Sequence, residues 1–176
     1  TTQALAASTQ ALAAVTASVD IDTARELFAA GDAIGNSRQL AAVLADPAVE
    51  ASAKSKLVGS AFGTSVSATT LGLLTTVAAQ RWSSPSDLLA GIEELGLRAA
   101  SVSSLRSGAD VEGELFQFAR TVTDNPELEL TLGARIGSDA AKGKLIATLL
   151  GGRASVETTL IISSLVQQPR GRRVHQ

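Results

Sequence analysis

The chain has 176 residues, no cysteine, one histidine and a formal net charge of −2. These figures exclude a disulfide frame and a thiolate metal site, and the mildly acidic balance argues against a domain that tracks a nucleic-acid backbone. Hydrophobic residues make up 45% of the chain but aromatics only 3%, with alanine prominent among them, so any core is assembled from many thin helix–helix contacts.

In chain order, periodicity and breakers predict a first helix near 2–18 and a second near 22–35. The second is opened by Asp22-Thr23, with Leu27, Gly31 and Ile34 on one face. Gly35-Asn36 and Asp46-Pro47 bracket a short helix near 37–45. Helix 51–62 follows and stops at Gly63-Thr64. Helix 67–81 carries Leu71, Leu74, Val77 (or Ala78) and Arg81 on one side. Ser84-Pro85 then supplies a capping residue and a first-turn proline for a long helix over 86–106, whose Leu88, Ile92, Leu95, Ala99 and Val102 share a face. Beyond Gly108, helices are predicted near 110–123, 126–134, 138–150 and 155–168, and a last one opens around Arg170. Strand-like alternation is weak throughout, so the fold class is all-α. No apolar run reaches the roughly 18–20 residues of a membrane helix. The lack of methionine, even at position 1, leads us to expect an excerpt of a longer product.

The chain repeats itself. AKSKL at 53–57 returns as AKGKL at 141–145, and the two segments hold every lysine: Lys54, Lys56, Lys142 and Lys144. A shift of 88 positions lays 26–63 on 114–151, matching Glu26-Leu27-Phe28 with Glu114-Leu115-Phe116 and Gly63 with Gly151. Past that glycine, one inserted residue would match Thr69-Thr70-Leu71 with Thr158-Thr159-Leu160 and Arg81 with Arg170. The expectation is a duplicated helical unit, with a first bundle over 1–106 and a second, partial one over 107–176, both using helix 86–106.

Residues for chemistry are scarce. His175 sits at the chain end, no G-x-S-x-G elbow surrounds any serine, and Gly151-Gly152-Arg153 lacks the Lys-Ser/Thr of a phosphate loop. Gly59–Gly63 reads as close packing plus a helix stop. The lysine pairs read as a solvated face, with an anion cradle as the alternative. Arg170, Arg172 and Arg173 read as a charged helix start. We therefore expect neither an enzyme nor a bound metal or cofactor.

The order "ELF", leucines before a D-P break, "AKSKLV", then "TTLGLLTTVAAQRW" is similar to the N-terminal domain of the delta subunit of F-type ATP synthases, the bacterial relative of the oligomycin-sensitivity-conferring protein. "VEGELFQFARTVTDNPELELTL" and "LLGGRASVETTLIISSLVQQPRGRRV" resemble the long, partly duplicated delta form of high-GC Gram-positive bacteria. The resemblance covers nearly the whole chain but rests on diffuse helical patterns. The family's C-terminal α/β domain, which joins the stalk, has no counterpart here.

The resemblance implies a helical bundle of the delta N-terminal type with a second partial copy. It implies a non-catalytic part of the peripheral stalk, holding the catalytic head against rotation at the cytoplasmic face of the plasma membrane. The implied partners are the head's alpha subunits, with the stalk b subunit reached through sequence missing here. No contact with nucleic acid and no direct membrane insertion is expected. In the family, the groove between the first and fifth helices receives an alpha N-terminal helix. The matching positions are Ala6, Thr9 and Ala13 on 2–18, and Gly72, Thr75 and Ala79 on 67–81, which otherwise only pack the two helices together. The rival reading of another class is a helical-repeat adaptor or regulatory scaffold unrelated to ATP synthase.

Overall fold

The computed structural model describes residues 2–108, 111–124 and 158–162. The described chain is helical, with no strand among its residues. Its helices are α1 (Thr2–Ala14), α2 (Ile21–Gly35), α3 (Arg38–Ala45), α4 (Ala51–Phe62), α5 (Ala68–Ala79), α6 (Pro85–Ser107) and α7 (Val111–Asp124), and 158–162 is helical as well. The chain divides into two compact units, Thr1–Val102 and Ser103–Gln176. The helices predicted over 126–134 and 138–150, the charged segment from Arg170, and Lys142, Lys144 and His175 lie outside the described residues.

Capping decides where these helices start. Asp20 opens α2, not Asp22-Thr23 as expected: its carboxylate accepts from the Thr23 amide at 3.0 Å, and its own amide donates to Thr23 Oγ1 at 3.3 Å. This reciprocal pair satisfies two of the donors a helix start leaves open. Ser37 caps α3 by accepting from the Leu40 amide, and Ser84 caps α6 by accepting from the Asp87 amide, with Pro85 in the first turn as predicted. At the other end of α6, Gly108 adopts φ 75°, a left-handed conformation that glycine reaches without a Cβ clash.

Two helices stop earlier than expected. The segment 2–18 is α1 to Ala14 followed by a single 3₁₀ turn, Thr16–Ser18. Val19 is fully buried in extended backbone, so the chain leaves the helix to place that side chain in the core. The segment 67–81 ends at Ala79, and Arg81 lies outside the helix and exposed. What ends it is Trp82: its buried indole donates to the Val77 carbonyl at 2.8 Å, taking up a C-terminal acceptor.

The core of the first unit is built from small-against-large contacts. Ala24, Leu27, Phe28, Gly31 and Ile34 are the buried side of α2, which contains the predicted Leu27/Gly31/Ile34 face. A Cβ placed on Gly31 would sit 3.5 Å from Ile92 of α6, and one on Gly96 only 2.8 Å from the Phe28 ring. Gly91 of α6 is closer still to Trp82, at 2.3 Å. Glycine on α6 thus creates the slots that receive the first unit's large rings. Leu88, Ile92, Leu95 and Ala99 are buried as expected, while Val102 is half-buried.

Two further expectations are corrected. Gly59 is exposed, and a Cβ there would meet nothing within 4 Å, so it does not mark close packing. Lys54 is only 3% exposed, whereas Lys56 is exposed, so the first lysine pair is not one solvated face. Two residues apart on a helix, the side chains point to different sides, and α4 turns Lys54 inward together with Val58 and Phe62. Burial lowers the Lys54 ammonium pKa. Asp46 acts in the opposite sense, and Arg81 adds to the lowering.

Candidate functional site

The six expected partner-binding positions lie on α1 and α5, which pack against each other. The buried side of α1 is Ala4, Ser8 and Leu12, and that of α5 is Thr70, Leu73, Leu74, Val77 and Ala78. None of the six expected partner-binding residues belongs to these sets. Ala6, Ala13, Gly72 and Ala79 are exposed, and Thr9 and Thr75 are half-buried. A Cβ on Gly72 would meet nothing within 4 Å. Four of the six positions are thus exposed and none is fully buried. Of the predicted Leu71/Leu74/Val77 side, Leu74 and Val77 are buried and Leu71 is half-buried, while Leu73 is buried as well.

The hydroxyls on these stripes are already paired within their own helices. Thr9 Oγ1 donates to the Ala6 carbonyl at 3.0 Å, Thr75 Oγ1 to that of Leu71 at 2.8 Å, and Thr76 Oγ1 to that of Gly72 at 3.0 Å. Back-bonding of this kind leaves no donor that an apolar partner would strand. A separate groove of about 450 Å³ lies between α2 and the end of α4, lined by Ala29, Ala33, Ala61, Phe62 and Val66, with Arg25 beside it.

The polar contact that sets α5 against α2 was not foreseen from the sequence. Glu26 of α2 accepts from the Ser67 amide at 2.7 Å, from Ser67 Oγ at 3.0 Å and from Thr70 Oγ1 at 2.8 Å. Ser67 is the N-cap of α5, so the carboxylate also lies at the positive end of that helix. The second unit repeats the clasp: Thr158 Oγ1 donates to Glu114. Both pairs are 44 residues apart, and both threonines are fully buried. Thr70 therefore corresponds to Thr158 at an offset of 88, and the inserted residue expected after Gly63 is not needed. Leu73 and Leu74 then match Ile161 and Ile162, all four buried. The recurrence of Ser67-x-x-Thr70 as Ser155-x-x-Thr158 was the available signal.

Among the described residues, no group of His, Asp and Glu has the arrangement to hold a metal ion. No described helix is long and apolar enough to cross a membrane. The described residues define an all-α fold whose polar side chains serve as helix caps and inter-helix clasps. No protein-family model matches the chain. It is 44% identical over all 176 residues to ATP synthase subunit delta of Leifsonia xyli, covering 66% of that protein. It is 39% identical to the subunit of the same name from Streptomyces avermitilis and 38% to that from Streptomyces griseus, over 97% of this chain and 64% and 65% of theirs. The chain belongs to the ATP synthase delta-subunit family, and it spans just under two thirds of the length of these relatives.

Proposed function

We infer that this chain is a non-catalytic peripheral-stalk component of a proton-translocating ATP synthase, holding the catalytic head against rotation from the cytoplasmic face of the plasma membrane. Its first unit does so by seating the N-terminal helix of an alpha subunit along the accessible stripes of α1 and α5. The stalk b subunit is reached through sequence beyond these 176 residues. Family membership supplies the partner. The observation that supports the site is that Ala6, Ala13, Gly72 and Ala79 are exposed and Thr9 and Thr75 half-buried on two helices that pack against each other, all six outside the buried sets of those helices.

Physically, small side chains let a second backbone approach closely, and paired hydroxyls spare the partner's apolar face an unsatisfied group. A stator has to transmit torque without deforming. Glycine slots filled by Phe28 and Trp82, and the Glu26 clasp, tie α2, α5 and α6 to their neighbours in the way stiffness requires. Calorimetric titration of a synthetic alpha-subunit N-terminal peptide into the chain tests this reading. Saturable binding at one site is expected, with ATP giving no heat of binding. An absence of peptide binding would remove the alpha-subunit helix from these stripes.

A further inference from the structure

Lys54 is a buried cation that no acceptor of its own unit receives. Its side chain is only 3% exposed, yet among the described residues it donates no hydrogen bond and closes no ion pair. No fully buried side-chain nitrogen or oxygen is left without a partner among these residues, so the ammonium itself reaches the surface while its stem stays covered. Three elements meet there. α4 and α5 pack against each other and are joined by 63–67 alone, so they run antiparallel and the start of α4 lies beside the end of α5. Lys54 is in the first turn of α4, and Arg81 stands just past the end of α5, next to the anchored indole of Trp82. Asp46 closes α3, and its carboxylate accepts from the Ala48 amide at 2.8 Å. Burial lowers the Lys54 pKa, Asp46 raises it and Arg81 lowers it further, so both charges are close enough to act on the ammonium.

We propose that Lys54 and Arg81 form a binding point for one carboxylate supplied from outside this chain, the ammonium donating from within the opening and the guanidinium from its rim. Arg81 is exposed and, like Lys54, has no hydrogen-bond or ion-pair partner among the described residues, so the donors of both are unused. A buried ammonium without an acceptor works against folding, and placing a second cation beside it adds to that cost. Local rules are broken in this way where a site needs the charge. Two cations against the single carboxylate of Asp46 leave one positive charge in excess, which matches a monoanion; a dianionic phosphate would meet stronger repulsion from Asp46. The planar fork of arginine also fits the two oxygens of a carboxylate. A small free acid and an acidic side chain of a docked peptide share this chemistry. The proposal stands on the first unit's own geometry and not on the docking of an alpha subunit to α1 and α5.

The chain contains only four lysines, so the NMR signals of their Cε methylenes can be assigned by substitution and that of Lys54 followed alone, with Lys54→Met identifying it. Acetate is exchanged for chloride at constant ionic strength, up to about 0.2 M. A saturable displacement of the Lys54 signal is expected, with the signal of exposed Lys56 unmoved. Arg81→Gln is expected to weaken acetate at least about fivefold by removing the charged fork, and a thermal melt verifies that this surface variant is folded. Blocked glycyl-glutamyl-glycine, titrated in the same way, separates the two sources. Tighter binding than acetate assigns the carboxylate to a peptide side chain, and equal or weaker binding assigns it to a free acid. No saturable displacement by either probe would overturn the proposal, and so would acetate binding that survives Arg81→Gln unchanged. Inorganic phosphate binding more tightly than both probes would overturn the choice of a carboxylate.

Discussion

Replacing Glu26 with alanine removes all three bonds of the α2–α5 clasp at once, those from the Ser67 amide, Ser67 Oγ and Thr70 Oγ1. A hydrogen bond to a charged group contributes about 1.5–3 kcal/mol. The two bonds from Ser67 are exposed, where water substitutes for the lost partner, so they belong at or below the low end. The Thr70 bond is the exception, because Thr70 is fully buried. The expected loss is therefore about 2–3 kcal/mol, or roughly 10–20 °C in Tm for a unit of about 100 residues. Glu26→Gln, which keeps one carbonyl acceptor, should lose about half as much. Trp82, the single tryptophan, is buried in the first unit, and its fluorescence in urea reports that unit's unfolding directly. The midpoint should fall with the slope unchanged. A double-mutant cycle with Thr70→Val should give a coupling of about 1 kcal/mol or more. A Glu26→Ala protein within about 0.5 kcal/mol of wild type, or no coupling to Thr70, would refute the clasp as a stabilising contact.

Gly96→Ala should destabilise the first unit by about 1–3 kcal/mol, since the new methyl enters the space of the Phe28 ring. Phe28→Leu in the same chain should recover part of that loss, as chemical denaturation would show. Asp20→Ala should cost about 1 kcal/mol by removing the α2 capping box, measured as a lower midpoint in urea. Lys54 sets the pH dependence, and its sign follows from burial. Its folded-state pKa is lowered, so the unfolded chain binds more protons, and stability should rise with pH from the lowered folded value up to the usual lysine range near 10.4. Lys54→Met should melt higher than wild type at neutral pH and show a flatter alkaline rise; identical pH profiles would contradict this.

The helices were legible because their signals are local. Ser84-Pro85 and the Leu88/Ile92/Leu95/Ala99 face need only neighbours within a few residues. The errors arose where tertiary structure outweighs local pattern. Helix 2–18 is cut short because Val19 is taken into the core, and helix 67–81 because Trp82 occupies the Val77 carbonyl. Lys54 was read as solvated because a sequence does not show which side of α4 its neighbours cover. The repeat was recognised from lysines and glycines, but its register slipped after Gly63. Matching two Thr-Thr-Leu strings outweighed the less conspicuous match of Ser67 and Thr70 to Ser155 and Thr158. The clasp itself joins residues 41 and 44 apart, a distance at which no periodicity speaks. The six expected docking positions follow from the family groove, and their exposure depends on tertiary packing that no local pattern shows.

An alpha-subunit N-terminal helix is proposed to seat on the small-residue stripes of α1 and α5. Thr75→Trp tests it most directly, because it places an indole on the stripe without opening a core cavity, as Leu74→Ala would. A seated helix gains roughly 25 cal/mol for each Å² of apolar surface it removes from water, less its ordering cost. Blocking even part of that contact should weaken binding by about tenfold or more, equivalent to about 1.4 kcal/mol. The measurement is the peptide titration repeated on the variant, with Trp82-region folding verified by a thermal melt. A folded variant with at least that loss of affinity is expected. A folded variant that binds the peptide as tightly as wild type would contradict it.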